Sequence, residues 1–173
     1  LLVNYVLGAL KKQGKLPTDG AIIKTIVTSE MGREIAASYG IDTVDTYTGF
    51  KYICEKVKEF EDTGAKTFIF GYEESYGYLA GGFVRDKDAV IASMLICEMA
   101  AYYKSRGMNL CDALVELWNR FGYYCDTQKS IYVEGREGME KIQAIMKHFR
   151  HNPPTQIAGT KVTVIRDYNE MKA

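Results

Sequence analysis

Three short strand-like runs, separated by helical patterns, constrain the fold of this chain more than any other feature of its sequence. The runs are "AIIKTIVTS" from residue 21, "IDTVDTY" from residue 41 and "KTFIFGY" from residue 66. The stretches 30–40 and 48–64 between them have the pattern of amphipathic helices. The order strand, helix, strand, helix, strand is typical of a layered α/β domain, and right-handed crossovers make the three strands parallel.

The remainder of the chain predicts three more helices and a further strand of the same sheet. Helical patterns cover residues 86–107, 109–122 and 136–150, and residues 123–134 alternate like a strand. Because two consecutive helices precede that strand, its direction is free, and we expect it at an antiparallel edge. The sequence therefore predicts a three-layer α/β/α domain with a mixed, mostly parallel sheet of about four strands.

Two breaks in the pattern indicate where this domain begins and ends. "GKLPTDG" interrupts the chain before the first strand, and the adjacent prolines Pro153 and Pro154 end the last helix. We expect residues 20–150 to form the α/β/α domain. Residues 1–19 are then the C-terminal helix of a preceding domain, and residues 151–173 are a linker with the first strand of a following domain. Since the chain begins Leu-Leu within a helical pattern, we expect a segment of a longer protein.

The charge and cysteine patterns argue against several classes of partner. Lys+Arg and Asp+Glu number 22 each, so the chain lacks the basic surplus of a nucleic-acid-binding protein. No apolar run approaches the ~20 residues that a membrane helix needs. The four cysteines form no C-x-x-C pair and lie far along the chain from both histidines, which favours reduced thiols. We therefore expect a cytoplasmic protein without nucleic-acid or membrane partners.

A long polar loop, "FGYEESYGYLAGGFVRDKDAV" at residues 70–90, is the part of the sequence most indicative of function. It is roughly three times as long as an ordinary connection, and polar loops on a rigid scaffold often carry binding groups. This loop and the shorter "TYTGFK" each leave the carboxyl end of a predicted strand. Open α/β sheets bind their ligands at that edge.

The residues of these two segments suggest a sugar ligand. Thr48 and Gly49 offer a hydroxyl group and a bare backbone just before a helix N-terminus. Glu73 and Ser75 are two apart in a loop that we expect to be extended, so their side chains point to the same side. A carboxylate accepts hydrogen bonds from vicinal hydroxyls, and a serine adds a donor and acceptor. This set of groups is better suited to a sugar than to a flat base.

A pair of cations follows in the same loop. Arg85 and Lys87 lie at the start of a predicted helix, whose N-terminus favours anions. Groups that bind hydroxyls next to groups that bind anions indicate a phosphosugar.

A simpler interpretation of the loop stays open. Glu73 and Glu74 fit a solvated acidic pair, and Asp86 and Asp88 fit carboxylates that cap the following helix. Carboxylates also suit Mg²⁺, but the cations within "VRDKDA" oppose a metal site among these four.

The loop sequences are similar to those of a known family. "GYEESYGYL" followed by "VRDKDA" resembles the sugar-binding loop of the α-D-phosphohexomutases, the phosphoglucomutase/phosphomannomutase superfamily. "TYTGFK" resembles the Thr-Gly loop of that family, and "KTIVTSEMGREIAASYGI" resembles the opening of its third domain. The resemblance covers essentially the whole chain in order and is greatest to bacterial phosphoglucomutases.

The resemblance implies a parent enzyme of four domains, of which this chain is the third, sugar-binding domain. The first domain would carry a phosphoserine, the second would hold Mg²⁺, and the fourth would bind the phosphate of the substrate. The family's sugar-binding glutamate and serine match Glu73 and Ser75. Its Thr-Gly pair matches Thr48 and Gly49, and its lysine matches Lys87. Arg85 occupies a position that could also meet the phosphate.

The sequence contains no T-A-S-H-N-P-like serine loop, no D-G-D-x-D-R metal loop and no S-G-T-E-P-like phosphate loop. We therefore expect the fragment to bind no metal and to be inactive alone, as part of an isomerase that needs its other domains. A phosphomannomutase or phosphopentomutase of the same superfamily remains an alternative, as does a non-catalytic phosphosugar-binding module.

Overall fold

The computed structural model describes residues 1–126 and 132–168, which belong to two compact units, Leu1–Asp126 and Thr127–Ala173. The elements of the first unit are the helices α1 (Leu2–Lys12), α2 (Met31–Ser38), α3 (Phe50–Thr63), α4 (Ala89–Ser105) and α5 (Leu110–Phe121), and the strands β1 (Gly20–Thr25), β2 (Asp42–Thr46), β3 (Thr67–Tyr72) and β4 (Tyr78–Ala80).

The first unit contains a four-stranded sheet in the order β2-β1-β3-β4. Strand β1 pairs in parallel with β2 and β3, and β3 pairs antiparallel with β4. The predicted parallel arrangement of the first three strands is confirmed. The sheet as a whole is mixed and mostly parallel, as expected.

The fourth strand differs from the one that the sequence predicted. Strand β4 lies inside the long loop, where Tyr78 pairs with Tyr72 of β3. A short turn is enough to bring the chain back beside β3 as an antiparallel neighbour. The three residues of β4 can therefore pair with β3 once that strand is in place. Residues 123–126 and 132–134 form no strand, and the rest of that predicted strand, 127–131, lies outside the described residues.

Alternate side chains of β1 enter two different cores, one on each face of the sheet. Ile22 packs in a cluster with residues of α1, α2, α4 and α5, whereas Ala21 and Ile23 pack with residues of α3. A sheet that is covered on both faces requires strands with two buried faces, and every residue of β1 is buried. These are the three layers that the sequence predicted.

Helix α3 approaches the sheet closely because β3 carries a glycine beneath it. A Cβ atom at Gly71 would lie 2.8 Å from Cγ2 of Ile53. Ile53 is fully buried and belongs to the apolar stripe of α3 with Phe50 and Val57. This packing places the first turn of α3 near the carboxyl end of β2, where the predicted Thr-Gly segment lies.

Polar caps determine where α4 and α5 begin. The Asp88 carboxylate accepts a hydrogen bond from the Ile91 backbone N–H at 3.0 Å, and the Asp88 N–H donates to the Tyr78 carbonyl at 2.8 Å. The start of α4 is therefore attached to β4. Helix α5 begins with a capping box between Asn109 and Asp112.

In the second unit the structure describes helix α6 (Gly135–His151) and a hairpin of β5 (Gln156–Ile157) with β6 (Thr160–Lys161). The helix predicted over 136–150 is confirmed. Within the predicted linker and strand of residues 151–173, the described strands β5 and β6 are two residues long each. Among the described residues of both units, no helix is long and apolar enough to span a bilayer.

The predicted domain boundaries stay a prediction. Helix α1, which we expected to belong to a preceding domain, lies in the same compact unit as the sheet and contributes the fully buried Leu7 to its core.

We expect Ile53→Ala to lower the free energy of unfolding by about 2–4 kcal/mol, since the substitution leaves a cavity between α3 and the sheet. Urea denaturation followed by far-ultraviolet circular dichroism measures this value. Glu55→Ala, on the exposed side of the same helix, is the control and should change it by less than about 0.5 kcal/mol. Equal effects of the two substitutions would contradict the described packing of α3.

Candidate functional site

The carboxyl ends of β1, β2 and β3 lie side by side at one edge of the sheet. Thr25, the last residue of β1, is in register with Thr46, the last residue of β2, and β3 ends beside them. The chain leaves these ends through residues 26–30, 47–49 and 73–77. Both segments that the sequence indicated for binding are therefore at the ligand-binding edge expected of an open α/β sheet.

The segment after β3 is the tip of a hairpin. The Glu73 N–H donates to the Gly77 carbonyl at 3.0 Å, residues 74–76 form a turn, and Tyr76 has a φ of +63°. The extended loop expected from the sequence is therefore not observed, because the chain must reverse to place β4 beside β3. Ser75 is exposed in the turn.

Two of the predicted site residues meet over a glycine of this hairpin. A Cβ atom at Gly77 would lie 2.5 Å from Oε1 of Glu73 and 2.8 Å from Cδ of Lys87. Both side chains therefore pass close to the Gly77 backbone, from opposite ends of the loop. The structure thus brings a carboxylate-bearing and an ammonium-bearing side chain to the same glycine, and their role in binding a phosphosugar stays a prediction.

The same lysine connects the hairpin to the Thr-Gly segment. Lys87 Nζ lies 5.2 Å from the centroid of the Phe50 ring, within the range of a cation–π interaction. Phe50 is the first residue of α3 and directly follows Thr48 and Gly49. Gly49 has a φ of +115°, a conformation that favours glycine. Lys87 thus lies between Glu73 and the Thr48–Gly49 segment.

Arg85 lies apart from this cluster. Its guanidinium group donates to both carboxylate oxygens of Glu61, at 3.0 and 2.5 Å. Glu61 is eleven residues beyond Phe50 on α3, which corresponds to about 16 Å along the helix axis. The Arg85 hydrogen bond also holds the pKa of Glu61 below its ordinary value. In this conformation Arg85 is engaged with α3, and its role in phosphate binding stays a prediction.

Sequence reasoning missed a buried ion cluster at the same edge. Lys24 is fully buried, and its Nζ lies 2.9 Å from Oε1 of Glu30 and 3.2 Å from Oδ1 of Asp45. Arg33 pairs with the same two carboxylates, at 2.7 and 2.5 Å. The one signal in the sequence was a lysine inside the β-branched run of β1, where a charge must be paired if it is buried.

The cluster changes the protonation behaviour of Glu30. Burial by itself would raise the pKa of this carboxyl group. Hydrogen bonds from Arg33 and Lys24, together with their charges, outweigh the effect of burial and hold the pKa below its ordinary value.

Glu74 is exposed, but its carboxylate reaches the end of β1. One oxygen of its carboxylate lies 2.9 Å from the Thr25 hydroxyl and 3.2 Å from the Thr28 hydroxyl. Glu74 is exposed as the solvated acidic pair implies, but one of its carboxylate oxygens also has hydrogen-bonding partners in the protein. No local sequence signal distinguishes the two glutamates, since their neighbours come from different parts of the chain.

A cavity of about 490 Å³ lies elsewhere in the first unit, between α1, α4 and α5. None of the six predicted site residues lines it. Several of its charged groups already have partners in the protein, since Arg106 pairs with Glu116 and Tyr5 forms a hydrogen bond with Glu98. The candidate functional site is therefore the sheet edge, where the unlike groups of three segments converge.

The described residues bring together no group of three or more His, Cys, Asp or Glu side chains that could hold a metal ion. Asp86 lies with its carboxylate 3.3 Å from Lys87 Nζ, and Asp88 caps α4. Asp88 therefore caps the helix as the simpler interpretation has it, whereas Asp86 pairs with Lys87 and is not the cap.

The comparisons with known proteins agree on one family. Residues 2–121 match the family described as Phosphoglucomutase/phosphomannomutase, alpha/beta/alpha domain III. A phosphoglucomutase of Staphylococcus haemolyticus (strain JCSC1435) is 40% identical over 172 residues, which is 99% of this chain and 30% of that protein. A phosphoglucomutase of Staphylococcus aureus (strain MRSA252) is 42% identical over 168 residues, which is 97% of this chain and 29% of that protein.

A solved structure shows the same fold. The crystal structure of a protein named "putative phosphomannomutase", from Thermus thermophilus, is similar with a TM-score of 0.53 at 21% identity. The match covers 70% of this chain and 25% of that one. The chain thus spans about three tenths of the length of the curated relatives it matches.

We expect Glu30→Gln to lower the free energy of unfolding by about 1 kcal/mol at pH 7, a modest value because the Glu30 side chain is about half exposed. The folded-state pKa of Glu30 is below its unfolded value, so its contribution is complete above the unfolded value of about 4.3. That contribution is lost as the pH falls through the folded value. The difference in the free energy of unfolding between the unmodified chain and Glu30→Gln should therefore shrink below about pH 4.

Urea denaturation at pH 7 and at successively lower pH values measures this difference. Glu34→Gln, an exposed position on the same helix, is the matched control and should show no such pH-dependent change. A difference for Glu30→Gln that is constant with pH would contradict the described ion cluster.

Proposed function

The chain belongs to the phosphoglucomutase/phosphomannomutase family, and on that premise we propose that it is the sugar-recognition domain of a phosphoglucomutase. The family match and the identity to two staphylococcal phosphoglucomutases support this proposal. Because those relatives are more than three times as long as this chain, the activity belongs to the proposed parent protein. The boundaries predicted for this domain, 20–150 with flanking segments 1–19 and 151–173, are part of the proposal.

The observation that carries the proposal is the meeting of Glu73 and Lys87 over Gly77. A carboxylate accepts hydrogen bonds from two neighbouring sugar hydroxyls, and an ammonium group attracts a phosphate dianion. A phosphosugar offers both kinds of group on one small molecule.

The remaining predicted residues would complete the recognition of the sugar. Thr48 and Gly49 directly precede Phe50, and the Phe50 ring lies next to Lys87 Nζ. Gly49 leaves the backbone accessible for close approach of a ligand, and Thr48 adds an exposed hydroxyl. Ser75 is at the exposed tip of the hairpin, where its hydroxyl can meet a sugar that lies against Glu73.

The proposed parent interconverts glucose 1-phosphate and glucose 6-phosphate through a phosphoserine and a bisphosphate intermediate. Phosphoryl transfer depends on positioning and on electrostatic stabilisation, for which a bound Mg²⁺ would supply charge neutralisation. We place the phosphoserine, the Mg²⁺ and the phosphate-binding loop on other domains of the parent. We also propose that the parent is a cytoplasmic protein. This chain's own residues would bind and orient the sugar, and the chain alone would be inactive.

We expect Glu73→Gln to weaken the binding of glucose 1-phosphate to this chain about tenfold or more, since a hydrogen bond to a charged group contributes about 1.5–3 kcal/mol. Amide chemical shifts followed by NMR during a titration measure the affinity and locate the site. In the unmodified chain, the shifts should be confined to residues around Thr48–Gly49, Glu73–Ser75 and Lys87.

Glu55→Gln is the matched control, because it removes the same charge from an exposed position on α3. Equal affinities of the Glu73 and Glu55 variants would remove Glu73 from the site. Parallel titrations with mannose 1-phosphate and ribose 1-phosphate distinguish a phosphoglucomutase from the two alternatives in the superfamily.

We expect Gly77→Ala to weaken the same binding while leaving the folded structure largely intact. The added methyl group would displace Glu73 and Lys87, whose contact atoms belong to flexible side chains and not to the backbone. The titration gives the affinity, and thermal unfolding gives the stability. A large drop in melting temperature, or an unchanged affinity, would contradict this assignment of the two side chains.

A further inference from the structure

Adjacent glutamates at the tip of the β3–β4 hairpin point in opposite directions. The Glu73 side chain lies over Gly77 beside Lys87. The Glu74 carboxylate lies against the hydroxyls of Thr25 and Thr28, at the carboxyl end of β1. The two residues therefore have different environments, and only Glu73 is in a position to meet a ligand together with Lys87.

The hydroxyl groups around Glu74 form a small, defined arrangement. The three oxygen–oxygen distances are 2.7 Å between Thr25 and Thr28, 2.9 Å from Thr25 to Glu74, and 3.2 Å from Thr28 to Glu74. Two hydroxyls supply two protons, so only two of the three contacts are hydrogen bonds when Glu74 is ionised. The two shortest contacts assign Thr28 as the donor to Thr25, and Thr25 as the donor to Glu74.

The threonines are held in place by the buried lysine of the ion cluster. Lys24 Nζ donates to the backbone carbonyls of Thr28, at 3.0 Å, and of Thr25, at 3.3 Å. Thr25 is fully buried and Thr28 is 8% exposed, so neither hydroxyl is free to turn toward bulk water. The end of β1 and the loop after it therefore present a preformed hydroxyl donor to the carboxylate at the hairpin tip.

We propose that Glu74 is a positioning residue, whose hydrogen bond from Thr25 fixes the hairpin tip so that Glu73 faces Lys87. Glu73 and Glu74 are adjacent at a tight turn, so holding the Glu74 carboxylate against Thr25 restricts the backbone from which the Glu73 side chain extends over Gly77. Residues that bind a ligand are effective when neighbouring groups restrict their conformations. The ordering of the tip is a property of the free chain, whereas its consequence for sugar binding rests on the proposed function.

The experiment compares Glu74→Ala and Thr25→Val with Thr25→Ser and with the control Glu55→Ala. Heteronuclear NOE values for the amides of residues 73–77 measure the order of the tip without any ligand. A titration with glucose 1-phosphate then measures affinity. We expect Glu74→Ala and Thr25→Val to lower the NOE values of the tip and to weaken binding by about tenfold.

Thr25→Ser keeps the hydroxyl group and should retain both the order of the tip and the affinity. If Thr25 acted only through the bulk of its side chain, loss of the methyl group in this variant would lower both. In Glu74→Ala the two threonines keep their mutual hydrogen bond, so this variant should unfold near the temperature of the control. If Thr25→Val fails to fold, Glu74→Ala alone decides the question.

Tip amides that stay as ordered in Glu74→Ala as in the unmodified chain would overturn the proposal. Loss of order with unchanged affinity would also overturn it, because Glu74 would then not position the binding group. If the unmodified chain shows no binding of glucose 1-phosphate while the tip loses order in both variants, the proposed function fails and the anchoring role of Glu74 stands.

Discussion

The sheet edge that carries the candidate site depends on a single buried charge. Lys24 lies at the carboxyl end of β1 with no solvent exposure, and an unpaired ammonium group in that position would be very unfavourable. Its pairing with Glu30 and Asp45 connects the start of α2 to β2. Because Arg33 neutralises the surplus negative charge of these carboxylates, the cluster has two cations and two anions. A balanced cluster of this kind favours one specific arrangement of the three segments.

The geometry of the hairpin follows from that arrangement. The lysine orders the backbone of the loop after β1 through the carbonyls of Thr25 and Thr28, and the same two residues contact Glu74 through their hydroxyls. On the other side of the tip, the hydrogen bond from the Asp88 N–H attaches the start of α4 to β4. This bond also determines the position of the adjacent residue, Lys87. The meeting of Glu73 and Lys87 is thus the result of constraints from two separate elements.

The sequence predicted the parts of this structure that depend on local patterns. Buried strands and amphipathic helices repeat their apolar residues at characteristic periods, so β1 and α3 were predicted from a few residues each. Strand β4 was missed because three residues carry no usable period, and its stability comes from pairing with β3. The partners of Lys24, Glu74 and Arg85 were missed for a related reason, since each belongs to a different segment of the fold.

The exposure of the candidate site limits what this chain can do by itself. Lys87 and Ser75 are exposed, and charge interactions in contact with water contribute little free energy. Recognition by the isolated domain therefore has to come from placement of donors and acceptors more than from the strength of any one charge. Water would weaken each of these contacts until other surfaces exclude it, since electrostatic interactions strengthen as the surrounding dielectric constant falls. An exposed half-site of this kind is consistent with a domain that orients a sugar for chemistry supplied by neighbouring domains of the proposed parent.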